Sequence, residues 1–212
     1  MSGAVIIKDF ERMETFINNL DGLTGELYLH QSEINAAYNR VGDWDDHVFR
    51  LTGRALLNTG NKVEQLGAFL SKLMMILNEY CLGMDRDYLG KKEWNGHFRD
   101  KELETRLHLE DSNMERAILG TTADGIKSFE RELETYINVT KENVNKVVRE
   151  LDDVRSYWQD DNFRKTEERI MQFSDNMHSN LSALSDLLTM VTIRRKSFEK
   201  NQAELAQKMS NL

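Results

Sequence analysis

An all-α fold of four long helices is the expectation, and three observations carry it. The 212 residues contain no proline and only 12 glycines, so the two strongest helix breakers are scarce. Four stretches space their apolar residues at steps of three, four and seven, the stripe of a helix that buries one face. Between the first and second stretches, and again between the third and fourth, a tryptophan sits in a short polar turn: Asp43-Trp44-Asp45-Asp46-His47-Val48-Phe49-Arg50 and Tyr157-Trp158-Gln159-Asp160-Asp161-Asn162-Phe163-Arg164. The predicted architecture is two long antiparallel helical hairpins joined by a helical linker and packed as a four-helix bundle. Residues 1–82 form the first hairpin, 83–125 the linker and 126–212 the second hairpin.

The first helix is expected to start after Asp9, an N-cap residue type, and to use Phe10, Met13, Phe16, Ile17, Leu20, Leu23, Leu27, Ile34, Ala37 and Val41. Gly22 and Gly25 fall inside it, and each costs about 1 kcal/mol relative to alanine, so a break there is left open. A second pattern runs from about Val48 to Leu82 through Phe49, Leu56, Val63, Leu66, Leu70, Leu73, Leu77 and Cys81. Residues 83–125 are punctuated by Gly83, Gly90, Gly96, Gly120 and Gly125 and hold a highly charged, helix-like segment near 99–119 with a thin apolar stripe, which reads as a connector. The third helix spans about Ile126 to Tyr157 through Phe129, Leu133, Ile137, Val144, Val147, Leu151 and Val154. The fourth runs from about Asn162 onward through Ile170, Phe173, Met177, Leu181, Leu184, Leu187, Leu188, Val191 and Phe198.

The two turns lie 114 positions apart and share Trp-x-Asp followed by Phe-Arg, the mark of an internal duplication. Carried along the chain, that spacing pairs Ile34 with Val148, Ala37 with Leu151, Leu56 with Ile170, Val63 with Met177, Leu70 with Leu184, Leu73 with Leu187 and Met74 with Leu188. A chance alignment of two amphipathic helices is the alternative.

Composition narrows function by exclusion. A formal charge of -8 gives no electrostatic footprint for nucleic-acid phosphates. One cysteine, Cys81, permits no intrachain disulfide and reads as a small core residue. Nowhere do about 18 apolar residues run together, so no membrane span is expected. The first residues have neither the basic region nor the long apolar region of a secretory signal; the expectation is a cytoplasmic chain, with export without a cleavable signal peptide left open. There is no glycine-rich phosphate loop, nucleophile elbow, zinc-type cysteine pair or His-Glu-x-x-His. A di-iron bundle needs two Glu-x-x-His pairs. Here the residues three before His30, His47, His97, His108 and His178 are Leu27, Trp44, Trp94, Thr105 and Asp175. No catalytic residue, metal or organic cofactor is therefore expected. Asp175 and His178 share one helix face and read as a solvated pair.

The candidate functional residues are those of the turns: Trp44, Asp46, Phe49, Arg50, Trp158, Asp160, Phe163 and Arg164. The aspartates read as caps for free N–H groups at the next helix, and Phe49 and Phe163 as inward-facing. Each Trp either closes the end of the core or forms part of a groove for a partner, and the two roles are compatible. Arg50 and Arg164 fit either reading.

A helix, a Trp-x-Gly or Trp-x-Asp turn and a second helix resemble the WXG superfamily, the early-secreted-antigen-like proteins of bacterial type VII secretion. Trp44-Asp45-Asp46 and Trp158-Gln159-Asp160 would be the two turns, each with Asp in place of Gly, in a tandem fusion covering about residues 10–82 and 126–205. The resemblance implies a non-enzymatic protein that binds another helical protein or self-associates, as a secreted substrate or as a chaperone or adaptor. Several features depart from it. The family's Tyr-x-x-x-Asp/Glu signal is absent after the second helix, where Tyr80 is followed by Met84, and Tyr157-x-x-x-Asp161 lies in the turn itself. Trp94-Asn95-Gly96 spells the literal motif without room for a third hairpin. The alternative is a structural coiled-coil or spectrin-like scaffold with no secretion role.

Overall fold

A computed structural model of the chain describes residues 9–41, 46–84 and 123–211. They form four helices: α1 (Phe10–Arg40), α2 (His47–Met84), α3 (Ala123–Val154) and α4 (Asp161–Ser210). The fold is all-α, with no strand among the described residues. Trp44, Trp94 and most of the expected linker, including the charged segment near 99–119, lie outside the described residues.

Three of the four helices begin at an aspartate cap that the sequence supplies. Asp9 Oδ1 accepts the Arg12 N–H at 3.1 Å, and Asp46 and Asp160 serve α2 and α4 in the same way, as described below. α1 continues through Gly22 and Gly25 without a break. Two glycines cost about 2 kcal/mol of helix propensity, and burial of Met13, Phe16, Ile17, Leu20, Leu23, Leu27 and Ile34 along one face outweighs that.

By contacts the chain divides into two compact units, residues 1–29, 61–103 and 140–178 in one and 30–60, 104–139 and 179–212 in the other. They are drawn across the sequence halves rather than along them. The first unit holds the open end of the α1–α2 hairpin together with the turn between α3 and α4. The second holds the turn between α1 and α2 together with the open end of the α3–α4 hairpin. Each unit has its own core. In the first, Met13, Phe16, Leu20, Leu70, Leu77, Val147, Leu151 and Ile170 are all buried. In the second, Tyr38 stacks on Phe49 with ring centroids 4.2 Å apart, and Phe129 meets both edge-on.

The cores contain more polar residues than the apolar spacing predicts. In the second unit the Tyr136 hydroxyl donates to Gln31 Oε1, and Gln31 Nε2 donates to Asn35 Oδ1 at 2.8 Å. Thr24, Thr52 and Thr59 return their hydroxyl protons to the carbonyls of Leu20, Val48 and Ala55 in their own helices, so burial leaves none of the three donors unmet. Two glycines of α2 let α1 side chains approach. A Cβ at Gly60 would stand 3.0 Å from Gln31 Nε2, and one at Gly67 only 2.3 Å from the Tyr28 hydroxyl.

Burial also revises the repeat. The spacing of 114 holds for α2 against α4: Phe49/Phe163, Thr52/Thr166, Leu56/Ile170, Val63/Met177, Leu70/Leu184 and Leu77/Val191 are buried in both copies. Applied to α1 and α3 it fails, setting buried Met13, Leu20 and Leu27 against exposed Lys127, Glu134 and Lys141. A spacing of 113 pairs Met13 with Ile126, Phe16 with Phe129, Leu20 with Leu133, Ile34 with Val147, Tyr38 with Leu151 and Val41 with Val154, every one buried. The expected pairs Ile34/Val148 and Ala37/Leu151 are therefore one residue out of register. Three positions separate Val41 from Trp44 and four separate Val154 from Trp158. The second turn carries one extra residue, accommodated by a tight turn in which the Tyr157 and Trp158 N–H groups both bond to the Val154 carbonyl.

Candidate functional site

The turn at Trp158 gathers three of the sequence-predicted residues. Asp160 Oδ1 accepts the N–H groups of Asn162 (2.7 Å) and Phe163 (2.9 Å), capping α4. Its other oxygen accepts the Trp158 indole N–H at 3.0 Å. Trp158 is only 2% exposed, and Phe163 meets it edge-on at 5.4 Å. One carboxylate thus starts the helix and orients the ring that closes the core. Beside it, Tyr157 is buried and donates its hydroxyl to the Arg12 carbonyl at 3.1 Å, tying this turn to the start of α1.

In the other unit, Asp46 repeats the cap. Its Oδ1 accepts the Val48 N–H at 2.6 Å and the Phe49 N–H at 3.3 Å. Here the second oxygen faces Arg194 of α4 at 3.5 Å. Phe49 is buried, as expected, in the aromatic cluster with Tyr38 and Phe129. The two arginines part company. Arg50 is half-buried, whereas Arg164 is exposed and sits 3.6 Å from Asp161, so the matched Phe-Arg pairs share only the role of their phenylalanines.

Capping predicts an asymmetry between the two aspartates. Asp46→Ala is expected to cost about 1 kcal/mol for the lost cap. Asp160→Ala also strands the buried indole N–H and is expected to cost about 2–3 kcal/mol. Equilibrium urea unfolding of the two variants measures the difference; equal losses would show that the Trp158 bond contributes nothing.

A groove of about 1600 Å³ opens next to this turn, between α2 and α4 in the first unit, with Phe69, Leu73, Ile76, Phe173, Arg169 and the edge of Trp158 among its walls. Arg169 holds its guanidinium 5.1 Å from the Phe69 ring centre and 5.9 Å from that of Phe173, an arrangement that shields both rings and leaves the cation at the surface. Lys72 and Lys165 also line the groove, and none of these three cations is ion-paired among the described residues. Glu167 is taken by Arg155. Lys165, Arg169 and Phe173 follow one line of α4 at four-residue steps, while Glu168 and Asp175, seven apart, fall on a neighbouring line. The groove was not legible in the apolar spacing, although the run Phe69, Leu73, Ile76, Leu77, Tyr80 is wider than a single buried stripe.

The histidines divide in the same local way. His30 contacts Glu33 at 2.9 Å, and His178 Nδ1 lies 2.8 Å from the Ser174 carbonyl oxygen and not on Asp175. Among the described residues no three His, Cys, Asp or Glu side chains come together as a metal-sized group, and no helix is long and apolar enough to cross a membrane.

Cys81 is buried, as the sequence implied. Burial, with a smaller contribution from Glu14, pushes its thiol up from 9.0 to about 12. Burial and then Glu150 push the Tyr157 phenol up from 10.0 to about 12, against the opposing pull of Arg12. In both, the fold favours the neutral, protonated form. Their contribution to stability is therefore complete below pH 9 and declines as pH rises from about 9 toward about 12, where the unfolded chain ionises first. Urea midpoints should fall over that range, and should fall less in Cys81→Ala; an equal fall in the variant would remove Cys81 from the explanation.

Compared with family models, curated proteins and solved structures, the chain matches none.

Proposed function

We propose that the chain is a non-enzymatic, tandem-hairpin protein of the WXG-like, type VII secretion class that binds another helical protein, either as an exported substrate or as a chaperone or adaptor. The observation that supports it most is the repeated helix–turn–helix in which Asp46 and Asp160 cap the outgoing helix with the same oxygen and the same two N–H groups, Phe49 and Phe163 following into the core. The α2–α4 groove beside Trp158 is the docking place. Its apolar walls suit the stripe of an amphipathic helix, and Lys72, Lys165, Arg169, Glu168 and Asp175 around it, none of them ion-paired among the described residues, suit a helix whose flanks carry charges of both signs. Because the hairpins bury each other's apolar faces, a second copy is not required to complete the core.

The test uses the full chain, tagged, in its native host. Ile76 is 55% exposed in the groove wall, so Ile76→Glu leaves the core intact. The wild type should co-purify with a helical protein encoded near a hexameric secretion ATPase, and Ile76→Glu should lose it. Accumulation in the medium that depends on that ATPase identifies a substrate, and retention of the complex in cells an adaptor. If no helical protein is retained and the ATPase has no effect, the scaffold reading replaces this one.

A further inference from the structure

α4 is the longest described helix, running from Asp161 to Ser210. Every residue from Asn201 to Asn211 is exposed, with Leu205 at 60% and Met209 at 66%. These are not scattered apolar residues. Leu184 and Val191, both fully buried, are followed at the same seven-residue step by half-buried Phe198 and then by Leu205, and Met209 lies one turn beyond on the same face. The stripe that is core in the second unit runs on past the packed region, uncovered by any other described helix.

The flanking charges indicate what covers it. Glu204 and Lys208, four apart, lie on one side of the stripe, and the segment holds both signs in equal number: Glu199, Lys200, Glu204 and Lys208. Lys208 is unpaired among the described residues, and Glu204 has only a 3.8 Å, solvent-exposed contact to Lys200. A partner helix of single sign would be repelled at one of these positions. A copy of the same helix laid antiparallel is attracted at both, because Glu204 of each meets Lys208 of the other while Leu205 of each comes level with Met209.

We propose that α4 beyond Phe198 is a dimerisation segment that pairs antiparallel with the same segment of a second copy. This does not rest on the secretion reading. The overlap is about three helical turns, well short of the roughly 1,200 Å² of a stable interface, so the dimer is a weak, exchanging one with a dissociation constant in the micromolar range.

Sedimentation equilibrium of the full chain between about 1 and about 500 µM reads the proposal directly. The weight-average mass should climb from that of the monomer, 24.7 kDa, toward twice that value. Leu205→Ser with Met209→Ser should hold the mass at the monomer value. Lys208→Glu should do the same by setting Glu204 against a second acid, and adding Glu204→Lys should restore the dimer. All of these side chains are exposed, so circular dichroism and melting temperature should not change. A wild-type monomer throughout, as would follow if residues 83–125 or nothing at all covered the stripe, overturns the proposal. A dimer that survives the Leu205/Met209 changes, or a charge swap that fails to restore, overturns it equally.

Discussion

Trp158→Ala is expected to destabilise the protein by roughly 3–5 kcal/mol, the range for truncating a large buried aromatic, lowering the melting temperature on the order of 10 °C. The ring is 2% exposed and packs edge-on against Phe163, so its removal opens a cavity at the end of a core that α3 and α4 cannot close by a small shift. Asp160 would keep its cap bonds to Asn162 and Phe163, which confines the loss to the ring and its N–H. Trp158→Phe separates the two: it retains most of the apolar area and loses the 3.0 Å bond to Asp160, for an expected cost of about 1–2 kcal/mol. Thermal unfolding followed by circular dichroism measures both. A Trp158→Ala variant as stable as wild type but unable to capture a partner would mean that the residue acts in recognition alone.

Phe49→Ala is expected to cost a similar amount, roughly 3–5 kcal/mol, for a different reason. Phe49 belongs to an aromatic trio, stacked on Tyr38 at 4.2 Å and edge-on to Phe129 at 5.6 Å, and such contacts add about 0.5–1.5 kcal/mol each beyond area burial. The 3.4 Å bond from the Tyr38 hydroxyl goes to the Phe49 main-chain carbonyl and survives the substitution, so the measurement reports the ring. Phe163→Ala removes a ring with one aromatic neighbour and should cost less, despite occupying the equivalent place in the repeat. Phe49 and Trp158 share no partner, so the double variant should lose the sum of the two to within about 0.5 kcal/mol. Urea unfolding with unchanged slope is the check; a loss under about 1 kcal/mol for Phe49→Ala would contradict the packing described.

The paired turns mark the limit of what residue types alone determine. Trp-x-Asp followed by Phe-Arg marked both turns, and the described aspartates cap and the phenylalanines pack as their residue types imply. The same letters could not reveal that Asp160 spends its second oxygen on Trp158 and Asp46 on Arg194, since each bond depends on what the fold brings alongside. Nor could they separate half-buried Arg50 from exposed Arg164. The register of α1 against α3 was misread by one residue because the motif fixed the spacing at the turn. Amphipathic helices tolerate such a slip in a letter-by-letter alignment, and only burial distinguishes the two registers. Gln31, Asn35 and Tyr136 break the apolar stripe, yet lie in the core because they satisfy one another across helices more than a hundred residues apart.

By itself the sequence determined the all-α class, the helices and their approximate bounds, the caps, the repeat and nearly every buried apolar position, because these follow from local propensity and from the 3.6-residue period of a single helix. Only the tertiary structure decided which helix faces meet and which stay open. It set Gly60 and Gly67 beneath Gln31 and Tyr28, left the groove between α2 and α4 beside Trp158, and left Leu205 and Met209 of α4 exposed. The physical reason is that an apolar stripe states that a face avoids water but not what covers it; that depends on the lengths, registers and side-chain volumes of elements distant in the chain.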